Sequence, residues 1–97
     1  MNNFGQKVRN IRESKNLLLR QAAAFLEVDT AHLSNVELGK KKATRFQADK
    51  LAEFLEVEKS EILPLWLADK ILDIIESEPY AKIALEISAK LIESTNE

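Results

Sequence analysis

Thr30, Ala31, Ser34 and Asn35 form an uncharged strip of hydroxyl, methyl and amide groups, and Lys40, Lys41 and Lys42 follow it almost at once. Side chains that donate and accept hydrogen bonds, set beside concentrated positive charge, suit a structured polyanion better than bond-making chemistry. The charge distribution points the same way. The net charge is −2, yet residues up to Arg45 carry nine Lys and Arg against four acids, while the remainder carries five lysines against twelve acids. A front half at +5 and a back half at −7 leave only the front to face a polyanion.

Other chemistries are poorly provided for. The chain has no cysteine, so a disulfide scaffold, a thiolate metal site and a cysteine nucleophile are excluded. His32 is the only histidine, which leaves no credible metal centre. The acids from Glu53 onward are spread over helix surfaces, no nucleophile has an evident base, and no Gly-rich phosphate loop occurs. An enzyme is therefore not expected, nor is a cofactor. No apolar run approaches the roughly 18 residues that span a bilayer, and the first ten residues lack a signal-peptide core. The expectation is a cytoplasmic protein with no membrane partner. An apolar content of 45% and a charged content of 31% fit one compact domain with a small appended segment.

The polar strip needs a scaffold, and the apolar spacing predicts helices throughout. Phe4, Val8 and Ile11 mark a first helix over 2–15, with Asn16 as its stop. A second, over 18–26, turns Ala22, Ala23 and Leu26 inward with Leu18 and Phe25 on its flank; Leu17-Leu18-Leu19 offers no side-chain oxygen to cap it. After a tight turn at Glu27-Val28-Asp29, Asp29 caps a third helix over 29–38 by accepting from the N–H of Ala31 or His32. Leu33 and Val36 face inward there, and Gly39 closes it. Two short helices across a tight turn are the helix-turn-helix arrangement, whose second helix lies in the major groove of DNA. A fourth helix over 43–55 turns Phe46, Ala48, Leu51, Ala52 and Leu55 inward. Ser60 caps a fifth, with Pro64 tolerated in its first turn and a stripe of Leu63, Leu67, Ile71, Ile74 and Ile75. Ser77-Glu78-Pro79 breaks the chain before a last helix over 80–94. The fold class is all-α, with six or seven helices.

Arg12, Ala23-x-x-x-Glu27-Val28, Leu33-Ser34-x-Val36-Glu37-x-Gly39 and Leu51-Ala52-x-x-Leu55-x-Val57 together resemble the DNA-binding domain of the Cro and lambda-type repressors, the Xre-like family, over about residues 4–63. The resemblance implies a five-helix lambda-repressor-like domain whose third helix reads bases. Carried over by position, it implies base contacts from Thr30, Ala31 and Asn35; Asn35 suits bidentate contact with adenine, and the methyls of Thr30 and Ala31 suit thymine. It implies phosphate contacts from His32, Ser34, Lys40 and Lys41, and a structural pair of Arg12 with Glu37. The family opens its second helix with a polar pair whose glutamine touches phosphate. Leu18-Leu19 stand there instead, so that contact moves to Arg20 or Gln21. Glu27 occupies a turn position that commonly holds glycine, and the recognition face carries no arginine. The basic half offers six phosphate contacts in all: Arg9, Arg12, Lys15, Arg20, Lys40 and Lys41.

Residues 1–65 are expected to form this DNA-binding domain and 66–97 a helical extension that makes a homodimer, with Trp66, Leu67, Ile71, Ile74, Ile83, Ile87 and Leu91 at the interface. A two-fold dimer would match a short palindromic operator. The expected function is a sequence-specific transcriptional regulator whose partners are double-stranded DNA and itself. Its size resembles the controller proteins of restriction-modification systems. The alternative is the antitoxin of a toxin–antitoxin pair, with the C-terminal helices holding the toxin as a protein partner.

Overall fold

A computed structural model describes residues 2–96. Its order is α1 (Asn3–Ser14), α2 (Leu19–Leu26), α3 (Thr30–Glu37), α4 (Arg45–Leu55), α5 (Lys59–Ile75) and α6 (Ala81–Asn96). The described residues are all helix and connector, the all-α class that the apolar periodicity predicts. Helices α1 to α5 enclose one core. Val8 from α1, Ala22 from α2, Leu33 from α3, Leu51 and Leu55 from α4 and Ile62 from α5 are essentially inaccessible to solvent. The small side chains of Ala22 and Ala23 let α2 approach α3 and α4 closely.

Four helices end in the same way. The residue after the last turn adopts a left-handed conformation at Asn16 (φ 58°), Glu27 (58°), Gly39 (78°) and Glu56 (56°). Each places two backbone N–H groups onto carbonyls of the turn before: Asn16 and Leu17 onto Glu13 and Arg12, Glu27 and Val28 onto Ala24 and Ala23, Gly39 and Lys40 onto Val36 and Asn35, Glu56 and Val57 onto Glu53 and Ala52. These are Schellman ends, and Leu17, Val28 and Val57 then fold back against the core. Glycine appears at only one of the four for a steric reason. A Cβ on Gly39 would lie 2.7 Å from Cβ and Cγ of Asn2. Glu27 and Glu56 are exposed and carry their side chains outward, at a backbone cost of about 1 kcal/mol each.

Helix starts draw on caps that local spacing reveals unevenly. Asp29 Oδ1 accepts from the N–H of His32 at 2.6 Å, one of the two alternatives expected. Thr44 and Gln47 cap α4 reciprocally, Thr44 Oγ1 accepting from the Gln47 N–H and Gln47 Oε1 from the Thr44 N–H. At α2 the missing cap is supplied from inside the helix, where Gln21 Oε1 accepts from the Leu18 N–H at 2.8 Å. The start of α1 is capped from 65 residues away. Asp69 of α5, itself buried, accepts from the backbone N–H of Asn3 and Phe4 and from the Asn3 amide.

Three sequence expectations are corrected. Phe46 points outward at 65% exposure, because the inward phase of α4 is set by Ala48, Leu51, Ala52 and Leu55, and two residues before Ala48 lies the far side of the helix. Ser60 does not cap α5, which starts at Lys59 with Glu58 as its N-cap. Pro64 consequently sits in the second turn, where its absent N–H leaves the Ser60 carbonyl without the usual helical donor. Helix α5 extends to Ile75, and its second half packs on α1 through Asp69. By contrast α6 projects from the body, and its residues from 82 to 95 are all exposed.

Opposite signs are expected at two of the left-handed positions. Glu27→Gly should raise unfolding stability by about 0.5–1 kcal/mol by relieving the backbone, whereas Gly39→Ala should lower it by more than 1 kcal/mol through the clash with Asn2. Midpoints of urea unfolding at constant m-value report both. Asp69→Ala strips two backbone donors of α1 of a charged acceptor and should lower stability by about 2–3 kcal/mol in the same assay.

Candidate nucleic-acid interface

Helix α3 is eight residues long, too short to hold its direction unaided, and its inner side is fixed by Leu33, Val36 and Glu37. Arg12 of α1 grips the buried Glu37 side-on: Nε donates to Oε2 at 2.8 Å and Nη2 to Oε1 at 3.0 Å. Its remaining Nη1 donates to the Leu17 carbonyl at 2.8 Å, so one guanidinium ties α1, the α1–α2 turn and the end of α3 together. The hydrogen bonds that Arg12 donates to Glu37 raise its pKa further against the opposing effect of its burial. Two further contacts lock the same corner. Asn2 Nδ2 donates to the Glu37 carbonyl at 2.9 Å, and α1 passes the end of α3 at Gly5, where a Cβ would lie 2.4 Å from the Val36 carbonyl oxygen.

With its inner side so fixed, α3 leaves Ala31 exposed on its outer face with Ser34 and Asn35 half-buried beside it, and Thr30 stands exposed at its first turn. Leu38, 48% exposed, continues this outer face one turn beyond Asn35. The spacing 31, 34, 35, 38 carries the signal for it, which the family resemblance does not include. His32 lies to the side, half-buried, with its Nε2 3.5 Å from the Gln47 amide nitrogen of α4.

The cations divide into two groups. Among the described residues, Arg20, Lys40 and Lys41 are exposed and make no ion pair. Three of the six expected phosphate-binding cations are engaged within the chain: Arg9 with Glu13 at 2.8 Å, Arg12 with Glu37, and Lys15 with the Leu55 carbonyl at the end of α4. These partners come from other turns and other helices, which a charge count cannot see. Gln21 shares its oxygen with the cap of α2 and keeps its amide N–H groups for other acceptors.

The proposed interface residues fall into two settings. Trp66 is engaged inside the chain: its indole Nε1 donates to the Ala43 carbonyl at 2.8 Å, with Lys70 Nζ 4.4 Å and the Arg45 guanidinium 6.0 Å from its ring centroid. Leu67, Ile71, Ile74, Ile83, Ile87 and Leu91 are all exposed, as are Leu85 and Ile92. Among the described residues no group of three or more His, Cys, Asp or Glu is placed to hold a metal ion, and no helix is long and apolar enough to cross a membrane.

A helix-turn-helix family model matches residues 8–62, more than half of the chain. No curated protein and no solved structure gives a significant match. The matched span begins in α1 and ends in α5, and so takes in α2, α3 and the whole Arg12–Glu37 corner. The chain belongs to the Cro/C1-type, Xre-like helix-turn-helix family of DNA-binding transcriptional regulators.

Proposed function

We propose that this regulator reads a short palindromic operator as a homodimer, with α3 of each subunit in a major groove. The observation that carries the reading is the outer face of α3. Thr30, Ala31, Ser34, Asn35 and Leu38 are turned away from the core, and cations that make no ion pair among the described residues stand at the start of α2 and just past the end of α3. Asn35 is the residue with a bidentate match to adenine, while Thr30, Ala31 and Leu38 offer methyl groups to thymine. Arg20, Lys40, Lys41 and the Gln21 amide are the phosphate ligands, joined by Ser34 and His32 at the edges of the helix. Because α3 carries no arginine, strong guanine readout is not built into it, and DNA shape takes a share of the specificity.

The dimer is supported by α6. At 100° per residue, Ile83, Ala84, Leu85, Ile87, Leu91 and Ile92 sweep more than half of its circumference, and Lys82, Glu86, Lys90 and Glu93 occupy the remainder. Leaving that arc in water forgoes about 1.5–3 kcal/mol for each large side chain that a partner helix would cover. A second copy brings the same arc together with the exposed Leu67, Ile71 and Ile74 of α5.

Selection of bound duplexes from random DNA should return two inverted half-sites with centres about one helical turn, or a multiple of it, apart. Asn35→Ala should relax preference at one position of each half-site, losing about 1–3 kcal/mol there, while Lys40→Ala should weaken all sequences alike and lower the salt slope by about 1 per subunit. A set of bound sequences without two-fold symmetry would sink the palindrome. In sedimentation at tens of micromolar, the pair Ile87→Asp and Leu91→Asp should turn a dimer into a monomer that keeps its helical circular dichroism. A wild-type monomer, or a stable complex with a co-encoded protein in place of self-association, would move the reading to an antitoxin.

A further inference from the structure

Lys42 stands apart from the two lysines before it. It pairs with Asp73 of α5, whereas Lys40 and Lys41 make no ion pair among the described residues. The backbone sets this difference. The α3–α4 loop is held at Gly39, whose left-handed conformation packs on Asn2, and again at Ala43, which is buried with its carbonyl accepting from the Trp66 indole. Trp66 is in turn steadied between Lys70 and Arg45. A loop pinned one residue beyond Lys42 to α5 sends that side chain toward α5, one turn past Lys70 and Asp69, where Asp73 receives it.

We propose that Asp73 competes with DNA phosphate for Lys42, and so fixes how many phosphates the α3–α4 loop engages. A carboxylate and a phosphodiester offer an ammonium the same thing, a pair of oxygens sharing one negative charge. The Lys42 side chain is 58% exposed in the pair, so solvent and salt screen it, and the hold moderates affinity without abolishing it. Asp73 acts as a positioning residue, through Lys42 and not on DNA itself. This inference rests on the DNA reading of the α3–α4 loop given above. Asp73 makes a further contact within the chain, so a test has to isolate the path through Lys42.

The experiment is equilibrium binding of the full chain to its selected operator across a salt series, for wild type, Asp73→Asn, Lys42→Ala and the double variant. Asp73→Asn should bind about two- to five-fold more tightly, the equivalent of a surface pair released, and its plot of log K against log salt should steepen by about 0.9 per subunit. Lys42→Ala should leave the wild-type slope unchanged. In the Lys42→Ala background, Asp73→Asn should change neither affinity beyond about two-fold nor slope. Unfolding midpoints should stay together across the set, which separates altered binding from altered folding. An unchanged affinity and slope for Asp73→Asn overturns the proposal. So does an equal gain in both backgrounds, which would make Asp73 a long-range repulsive charge, and so does a shallower slope for Lys42→Ala alone. A wild-type chain that binds no duplex removes the DNA reading itself and this inference with it.

Discussion

The contact on which the rest of the structure depends is the side-on pair between Arg12 and Glu37. Helix α3 has two large apolar side chains facing the core and one turn more than it needs to be called a helix. Its direction is therefore set from outside, by a guanidinium that spends two N–H groups on Glu37 and a third on Leu17. A buried ion pair contributes little net stability once desolvation is counted, but losing either member strands the other. Its value here lies in orientation. The planar fork accepts one geometry of carboxylate, so the end of α3 is fixed in rotation as well as in position.

The pair works because α1 is itself immobilised, and that comes from further along the chain. Asp69 caps the first N–H groups of α1, Gly5 lets α1 sit directly against the backbone of α3, and Asn2 bonds the Glu37 carbonyl. The dependency thus runs from α5 to α1 to α3. The acidic C-terminal half of the chain contributes one of its carboxylates, through α1, to holding α3 in place, and Trp66 extends the same control to the loop beyond it. Past residue 65, Asp69 holds α1, and Trp66 and Asp73 hold the α3–α4 loop through Ala43 and Lys42.

Much of this arrangement is legible in the sequence, and the division is physical. Short-range signals carried through: the 3.6-residue spacing of Phe4, Val8 and Ile11, the Asp29 cap and the left-handed stop at Asn16 all depend on neighbours within a turn. The structure also puts Glu27 in the left-handed region that its place in the turn suggested. Long-range partners were invisible. Nothing near Asp69 marks it as the cap of a helix 65 residues earlier, and Gly5 looks like an ordinary weak helix former until α3 is laid across it. Phe46 misled for a different reason, since large apolar residues read as inward until the smaller Ala48 and Ala52 are allowed to set the phase. Thr30, Ala31 and Asn35 enter as base contacts by position in the family resemblance, and Leu38, 48% exposed, joins their face by spacing alone.

The same distinction governs the electrostatics. Six of the nine cations in the front half are expected at phosphate, but three of the six, Arg9, Arg12 and Lys15, are occupied with Glu13, Glu37 and Leu55, and Lys42, outside that set, pairs with Asp73. Arg20, Lys40 and Lys41 remain as the proposed phosphate ligands, and three such contacts would by counterion release give a slope of about −3 per subunit in log K against log salt. An interface with so few phosphate contacts binds non-specific DNA weakly, because that binding is almost wholly electrostatic. In the proposed homodimer, affinity then comes from base contacts and from joining two subunits, since two tethered half-site contacts multiply where single ones fail. On this reasoning the exposed arc of α6 and the sparing use of charge around α3 are complementary features. A subunit that holds DNA loosely by itself gains the most from a partner, and it loses the least time on sequences that lack a second half-site.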